Sequence, residues 1–320
     1  MREVSYTEYL EFVAKHNSIT IEDQVIKLEP LRVERFVPLP EELTNISTTV
    51  WSFPKRGTWA THRGDYRGNW PPQMARALVS MYSAPGEVVL DPMVGSGTTC
   101  IEVRLLGRNC IGVDINFQAV ILTLHRLYWL EESAKRWSGL VKPEEVDNVL
   151  STWSKVYHGD ARRLSLIGDD SIDFVATHPP YWNIIEYGST NEVEGDLSRV
   201  RTLEEYLRLM KEVAAELYRV LKPGRYLGIL VGDTRIHKHY VPVSYYVLQV
   251  FLDTGFILKE EVIKVQHRMK STREVWSRIK GGGFLLIYHE KLYVFRKPIN
   301  ADDLNKHKYS SRTSVLAHSA

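Results

Sequence analysis

The stretch Val88-Val89-Leu90-Asp91-Pro92-Met93-Val94-Gly95-Ser96-Gly97-Thr98-Thr99 restricts what this chain can fold into more than any other. A short apolar run ends in a carboxylate, breaks at Pro92, crosses two glycines and opens a helix at Thr98. That is the strand, tight turn and helix start of a nucleotide-binding crevice, in which glycines let backbone N–H groups approach a ligand. A Gly-x-Gly also serves as a plain tight turn, and Cys100 stands where the dinucleotide fingerprint has its third glycine. The surrounding pattern decides between these readings.

Along the chain, residues 5–16 carry Tyr6, Tyr9, Leu10 and Val13 at helical spacing, and alternation around Pro30 predicts two short strands, 24–29 and 31–36. Residues 1–50 read as a small appendage, 51–297 as the catalytic domain and 298–320 as a tail, frayed from Asn300 onward. Between Trp51 and Pro72 lie Lys55, Arg56, Trp59, His62, Arg63, Arg67 and Trp70. Basic groups among aromatics suit phosphate contact and base stacking; tryptophans packed on the core under a surface loop fit equally well. Strands then alternate with helices to about residue 255. Two consecutive strands follow, 256–265 and 284–295, flanking a basic loop with Arg268, Lys270 and Arg273. The expectation is an α/β fold: a doubly wound, mostly parallel sheet of seven strands with an antiparallel edge hairpin and ligands at the carboxyl ends of its strands.

Composition bounds this reading without adding to it. A chain of 320 residues with a formal net charge of +2 offers no global argument for a nucleic-acid partner, which must come from local clusters. Its two cysteines, Cys100 and Cys110, lie in apolar surroundings and read as buried, inert thiols in a reducing compartment. No apolar run reaches the ~20 residues of a membrane span, and the N-terminus has no apolar core of a signal peptide, so no membrane association and a cytoplasmic location are expected.

Four predicted strand ends bring polar groups to one rim: Asp91, Asp114, Asp160 and the stretch Thr177-His178-Pro179-Pro180-Tyr181-Trp182. Asp114 stands at the position from which a carboxylate accepts ribose hydroxyls, and Asp160 could accept from an adenine amine. Any one of them could be a solvated acid at a strand end. As a set, with the glycine turn, they resemble the motifs of the nucleic-acid amino-methyltransferases, closest to the DNA cytosine-N4 type of the N4/N6 family. The segments that carry the likeness are 91–99, 107–114, 177–182 and 289–297, within roughly residues 60–297.

The resemblance implies S-adenosylmethionine as cofactor, held by Asp91, Met93, Gly95, Ser96, Gly97, Thr98, Asp114, Ile115, Asp160, Ala161 and Thr177, with its methionine near residues 64–72. It implies catalysis by His178, Pro179, Pro180 and Tyr181. An exocyclic amine is a poor nucleophile because its lone pair is drawn into the ring, and acceptors gripping its N–H groups favour the reactive geometry. In the family one acceptor is the backbone carbonyl of the first proline, here Pro179, and the other is the preceding side chain; Tyr181 would stack on a base taken out of its helix. No metal is needed. His178 replaces the usual Ser, Asn or Asp, so activity is expected to fall as pH drops through the ordinary histidine range. Trp182, Arg63, Arg67, Arg268, Lys270 and Arg273 are the candidate nucleic-acid contacts.

With the catalytic sheet consuming most of the chain and no recognition helix evident for a major groove, structured RNA, such as ribosomal RNA, is favoured over DNA as the partner. The alternative is a DNA cytosine-N4 or adenine-N6 methyltransferase. A nicotinamide dehydrogenase, a small-molecule methyltransferase and a non-catalytic nucleic-acid-binding module complete the field.

Overall fold

A computed structural model describes residues 1–21, 24–43, 46–137, 143–182, 196–267 and 283–311. The strands are β1 (Arg2–Glu3), β2 (Ser18–Ile21), β3 (Gln24–Lys27), β4 (Val50–Ser52), β5 (Val88–Asp91), β6 (Asn109–Asp114), β7 (Ser154–His158), β8 (Ile172–Thr177), β9 (Leu221–Val231), β10 (Thr234–Ile236), β11 (His239–Val241), β12 (Ile257–Val265) and β13 (His289–Arg296). The main helices are α1 (Tyr6–Lys15), α2 (Pro72–Tyr82), α3 (Thr98–Leu105), α4 (Phe117–Trp137), α5 (Glu144–Ser151), α6 (Leu203–Val220) and α7 (Val243–Thr254).

The sheet runs β1-β7-β6-β5-β8-β9-β13-β12-β4. Its centre, β7-β6-β5-β8-β9, is parallel, and β13 runs antiparallel between β9 and β12. The order turns back on either side of β5, which places a crevice at the carboxyl ends of β5 and its neighbours. The expected seven strands are all present, and two more extend the edges. β1 pairs antiparallel with β7, and β4 pairs parallel with β12.

One apolar layer covers each face. α2, α3 and α4 pack with Leu78, Ile101, Val103 and Leu127, and the other side holds Leu209, Met210, Val213, Val247 and Phe251 from α6 and α7. The first 50 residues share the former layer. Val4, Tyr9, Ile19 and Phe36 belong to its buried cluster, and the Tyr9 hydroxyl meets His125 Nδ1 of α4 at 2.8 Å. Ser5 caps α1 in a capping box with Glu8.

Several local expectations need correction. The alternation around Pro30 yields one strand, β3, paired with β2; residues 31–36 bury Leu31, Val33 and Phe36 but form no strand. Alternation reports burial, while a strand also needs a hydrogen-bonding neighbour. The strand predicted from Phe284 begins at His289. The expected fraying from Asn300 gives way to a short helix, Ala301–Lys306, capped by the Asn300 side chain and tied to β13 by an Arg296–Asp303 ion pair of 2.6 Å.

The thiol expectation fails outright: Cys100 and Cys110 are joined in a disulfide, both wholly buried. In the dinucleotide fold a glycine at the position of Cys100 allows close packing of helix on strand. Here a covalent bond from α3 to β6 holds that contact instead. Closing a loop with a sequence separation of 10 residues is worth about 3 kcal/mol in the chain-entropy model. Unreduced, denatured protein is therefore expected to show no alkylatable thiol, and two after reduction; two free thiols before reduction refute the bond.

Candidate functional site

The glycine turn closes on the end of β6. Gly95 sits at φ 52°, where a Cβ would come 3.1 Å from the Tyr66 ring, and Gly97 at φ 81° begins α3. The Gly95 amide donates to Asp114 Oδ2 and the Asn116 amide to Oδ1, both at 2.8 Å. One carboxylate thereby fixes two turns. From behind, Thr123 donates to the Gly95 carbonyl at 2.9 Å and the buried Arg126 to the Ser96 carbonyl at 3.0 Å, with Asp65 as the ion-pair partner of Arg126.

In front of this turn lies a cleft that, with the solvent at its mouth, holds about 860 Å³ of space between protein atoms. Its floor comes from Asp91, Met93, Gly95, Ser96 and Thr98; Asp114, Ile115 and Asn116 form one side, with Asp160, Ala161 and Arg162 beyond them. Tyr66, Gly68, Asn69 and Trp70 face His178 and Pro180 across it. Thus the four strand ends expected on one rim share one cavity. Gly97 and Thr177 lie immediately behind, as the helix start and the buried last residue of β8.

The segment 51–72 divides between the two readings left open for it. Trp51, Trp59 and Trp70 are buried, and Glu102 of α3 accepts from Trp59 Nε1 (2.7 Å), His62 Nε2 (2.6 Å) and Arg76 (3.0 Å). Arg56 donates to the Trp70 carbonyl at 2.5 Å. These groups build the cleft wall from inside, whereas Lys55, Arg63 and Arg67 remain on the surface outside it. Arg268, Lys270 and Arg273 lie outside the described residues.

At the end of β8 the chain bends through His178, Pro179 and Pro180, and the Tyr206 hydroxyl of α6 locks the bend by donating to the Pro180 carbonyl at 3.1 Å. Tyr181 does not present a stacking face to the cleft, contrary to expectation. It is 8% exposed, lies so close to Gly232 that a Cβ there would sit 2.6 Å from its ring, and donates its hydroxyl to Glu290 at 2.8 Å. Trp182, expected to meet nucleic acid, is 6% exposed and packs among apolar groups of the α6 side. The ring parallel to His178 is instead Trp70, at 5.9 Å and 20°.

His178 ends a chain of polar contacts that no local motif announces. Lys264 pairs with Glu290 at 2.6 Å, Tyr181 bridges Glu290 and His178, and the Tyr181 oxygen stands 2.6 Å from His178 Nε2. Lys264 holds the Glu290 carboxyl below its usual range against the opposing pull of burial. The single Tyr181 proton therefore goes to the carboxylate, and the Tyr181 oxygen accepts from Nε2–H. Nδ1 is covered and makes no hydrogen bond, and the Gly68 carbonyl nearby favours a proton on the ring. Burial pushes the His178 imidazole down to about 4, with Glu290 and the Gly68 carbonyl acting against the shift and Lys264 with it. The residue is open at its cleft face, but both nitrogens are covered, and it is there that desolvation acts on a charge. The expected loss of activity in the ordinary histidine range thus moves to lower pH.

Burial also lifts two acids, Asp91 to about 7 and Asp114 to about 6, although Thr99 and the Met93 amide favour the Asp91 carboxylate and the Asn116 and Gly95 amides favour that of Asp114. Asp160 lines the cleft with its carboxylate held by the Arg162 side chain at 2.5 to 3.1 Å.

A glycine cradle over a strand-end carboxylate, opposed by a His-Pro-Pro bend on this sheet order, defines a doubly wound methyltransferase. The profile of the N6/N4 methyltransferases, described as DNA methylase, matches residues 4–124 and 172–317, and the chain belongs to that family. With membership comes S-adenosylmethionine as the cofactor. The cradle fits it: a Cβ at Gly95 would press on Tyr66, and the Asp114 carboxylate stands at the cleft edge.

The type II methyltransferase M.BglII of Bacillus subtilis is 30% identical over 35% of this chain and 29% of its own length. The DNA adenine methyltransferase YhdJ of Escherichia coli is 31% identical over 31% and 35%. The tRNA (guanine(10)-N2)-dimethyltransferase of Methanocaldococcus jannaschii is 29% identical over 43% and 34%. The chain spans about a third of the length of these curated relatives. Among solved structures, TrmN from Thermus thermophilus aligns over 72% of this chain and 50% of its own, at 21% identity and a TM-score of 0.43. No helix among the described residues is long and apolar enough to cross a membrane.

The shifted groups set the pH dependence of stability. Asp91, raised above its unfolded value of 3.8, contributes stability that is complete below that value and is lost as pH rises through about 7. His178 and His125, both lowered to about 4 from 6.5, contribute stability present above 6.5 and lost as pH falls toward about 4. The Tm of the ligand-free protein is expected to peak near pH 6.5, with Asp91→Asn removing most of the decline on the alkaline side; an unchanged decline in that variant contradicts the assignment.

Proposed function

We propose that this chain transfers a methyl group from S-adenosylmethionine to the exocyclic N4 amine of cytosine in structured RNA. The observation that carries the reading is that His178 and Pro180, flanking Pro179, line the same cleft as Gly95 and Asp114. The cofactor supplies an electrophilic methyl on a sulfonium. Asp114 would accept from its ribose hydroxyls, and the Gly95–Gly97 turn would hold the nucleoside, Asp160 and Ala161 the adenine, and Asp91 with residues 66–70 the methionine.

The remaining work is to make a flat amine nucleophilic. The Pro179 carbonyl and the His178 side chain are the proposed acceptors for its two N–H groups; Nδ1 is covered in the structure described, so His178 takes this role once its ring turns to the substrate. Through its contacts with Glu290 and His178, Tyr181 acts as a positioning residue, not a stacking one. Trp70 and Pro180, which line the cleft beside His178, are the proposed apolar groups that hold a base. A tRNA methyltransferase among the relatives supports RNA. The DNA methylases among them keep DNA as the second reading.

Labelled S-adenosylmethionine, incubated with the protein and with RNA or DNA and followed by digestion to nucleosides, is expected to give N4-methylcytidine. Label in N4-methyldeoxycytidine or an N6-methyladenine nucleoside reassigns the polymer or the base, and no label in any polymer despite cofactor binding removes the function. Tyr181→Phe is expected to lower kcat by roughly 10²-fold with an unchanged cofactor Kd; wild-type kcat in that variant leaves the histidine contact without a catalytic part.

A further inference from the structure

β9 runs parallel to β8, so its carboxyl end reaches the rim from which His178 projects. Gly232, just beyond β9, packs under the Tyr181 ring, and two residues later the chain enters a hairpin that the sequence pattern does not announce. β10 and β11 pair from Thr234↔Val241 to Ile236↔His239. The two turn residues, His237 and Lys238, have φ of 48° and 70°, the left-handed pair that matches the twist of a tight hairpin.

The hairpin is braced by Arg235 and by the acid that precedes it, and its tip is exposed. The Arg235 guanidinium lies 5.5 Å from the Tyr240 ring and 5.2 Å from the Phe284 ring, and donates to the Lys238 and Leu285 carbonyls at 3.0 and 2.6 Å. The Tyr240 hydroxyl donates to Asp233, which also takes the Ser244 amide at 2.7 Å and its hydroxyl at 3.0 Å. That consumes the one acid of the segment beneath the hairpin; residues 234–246 contain no other. His237, Lys238 and His239 are exposed at the tip, and Tyr245 and Tyr246, on the first turn of α7, are exposed beside it.

One exposed lysine between two histidines, with no acid in the segment and two exposed tyrosines following, on the rim from which His178 projects, matches a strand whose phosphates are charged and whose bases stack. We propose that the β10–β11 hairpin and the start of α7 form the contact surface for an unpaired stretch of polynucleotide strand leading to the cleft. Lys238 and the flanking histidines meet phosphates, and Tyr245 and Tyr246 offer stacking faces. The proposal rests on the nucleic-acid reading above and gives it a binding surface among the described residues.

The test is fluorescence anisotropy of the full chain with a labelled RNA of about 20 nucleotides carrying unpaired cytosines, and with DNA of the same sequence. Two double variants are compared, Lys238→Asn with His239→Asn and Tyr245→Ala with Tyr246→Ala; asparagine tolerates the left-handed backbone at 238. Each is expected to weaken RNA binding about tenfold, while calorimetric cofactor affinity and Tm stay at wild-type values. The first pair should also lower the salt dependence of binding by about one phosphate contact. Affinities within about twofold of wild type for both pairs overturn the surface while leaving the function standing. Wild-type protein that binds the cofactor but neither polymer sinks both readings.

Discussion

The Asp114 carboxylate is the point on which the cleft depends. It accepts the Gly95 amide from one turn and the Asn116 amide from the next, so the ends of β5 and β6 are held by one side chain. Hydrogen bonds to an ionised acceptor are about twice as strong as neutral ones, and backbone donors cost no side-chain entropy to orient. Without it, the glycine turn would have the freedom that glycine confers and no defined shape. The disulfide ties α3, the helix that follows the glycine turn, to the beginning of β6, the strand that ends in Asp114.

Behind the turn the protein keeps more charge than a core usually holds. Arg126 and Glu102 are almost fully buried, yet each is paired and hydrogen-bonded, to Asp65 and Ser96 in one case and to Trp59, His62 and Arg76 in the other. Buried charges with full partner sets cost little further, whereas removal of one partner strands the other. Such a layer is a rigid backing for a binding loop. It also explains why a stretch rich in Arg, His and Trp proves to be largely internal.

The His-Pro-Pro bend is supported from two directions. Tyr206 of α6 fixes its backbone, and the line from Lys264 through Glu290 and Tyr181 fixes the histidine ring. The second support arrives from far along the chain: Glu290 lies 109 residues after Tyr181. The antiparallel placement of β13 beside β9 is what carries Glu290 to the rim, since its first residues lie beside the last residues of β9.

The sequence by itself determined the parallel sheet, the rim on which Asp91, Asp114, Asp160 and His178 meet, and the glycine cradle. Each of these is encoded locally, by apolar runs, turn residues and helix starts that act over a few residues. Only the tertiary structure decided that Tyr181 and Trp182 face inward, that Trp59 and His62 serve the wall, that Cys100 meets Cys110, and that a hairpin follows β9 on the rim of His178. Side-chain direction at a bend and partners more than a hundred residues away follow from how layers pack. Periodicity reports that a residue is buried, and says nothing about which groups it is buried against.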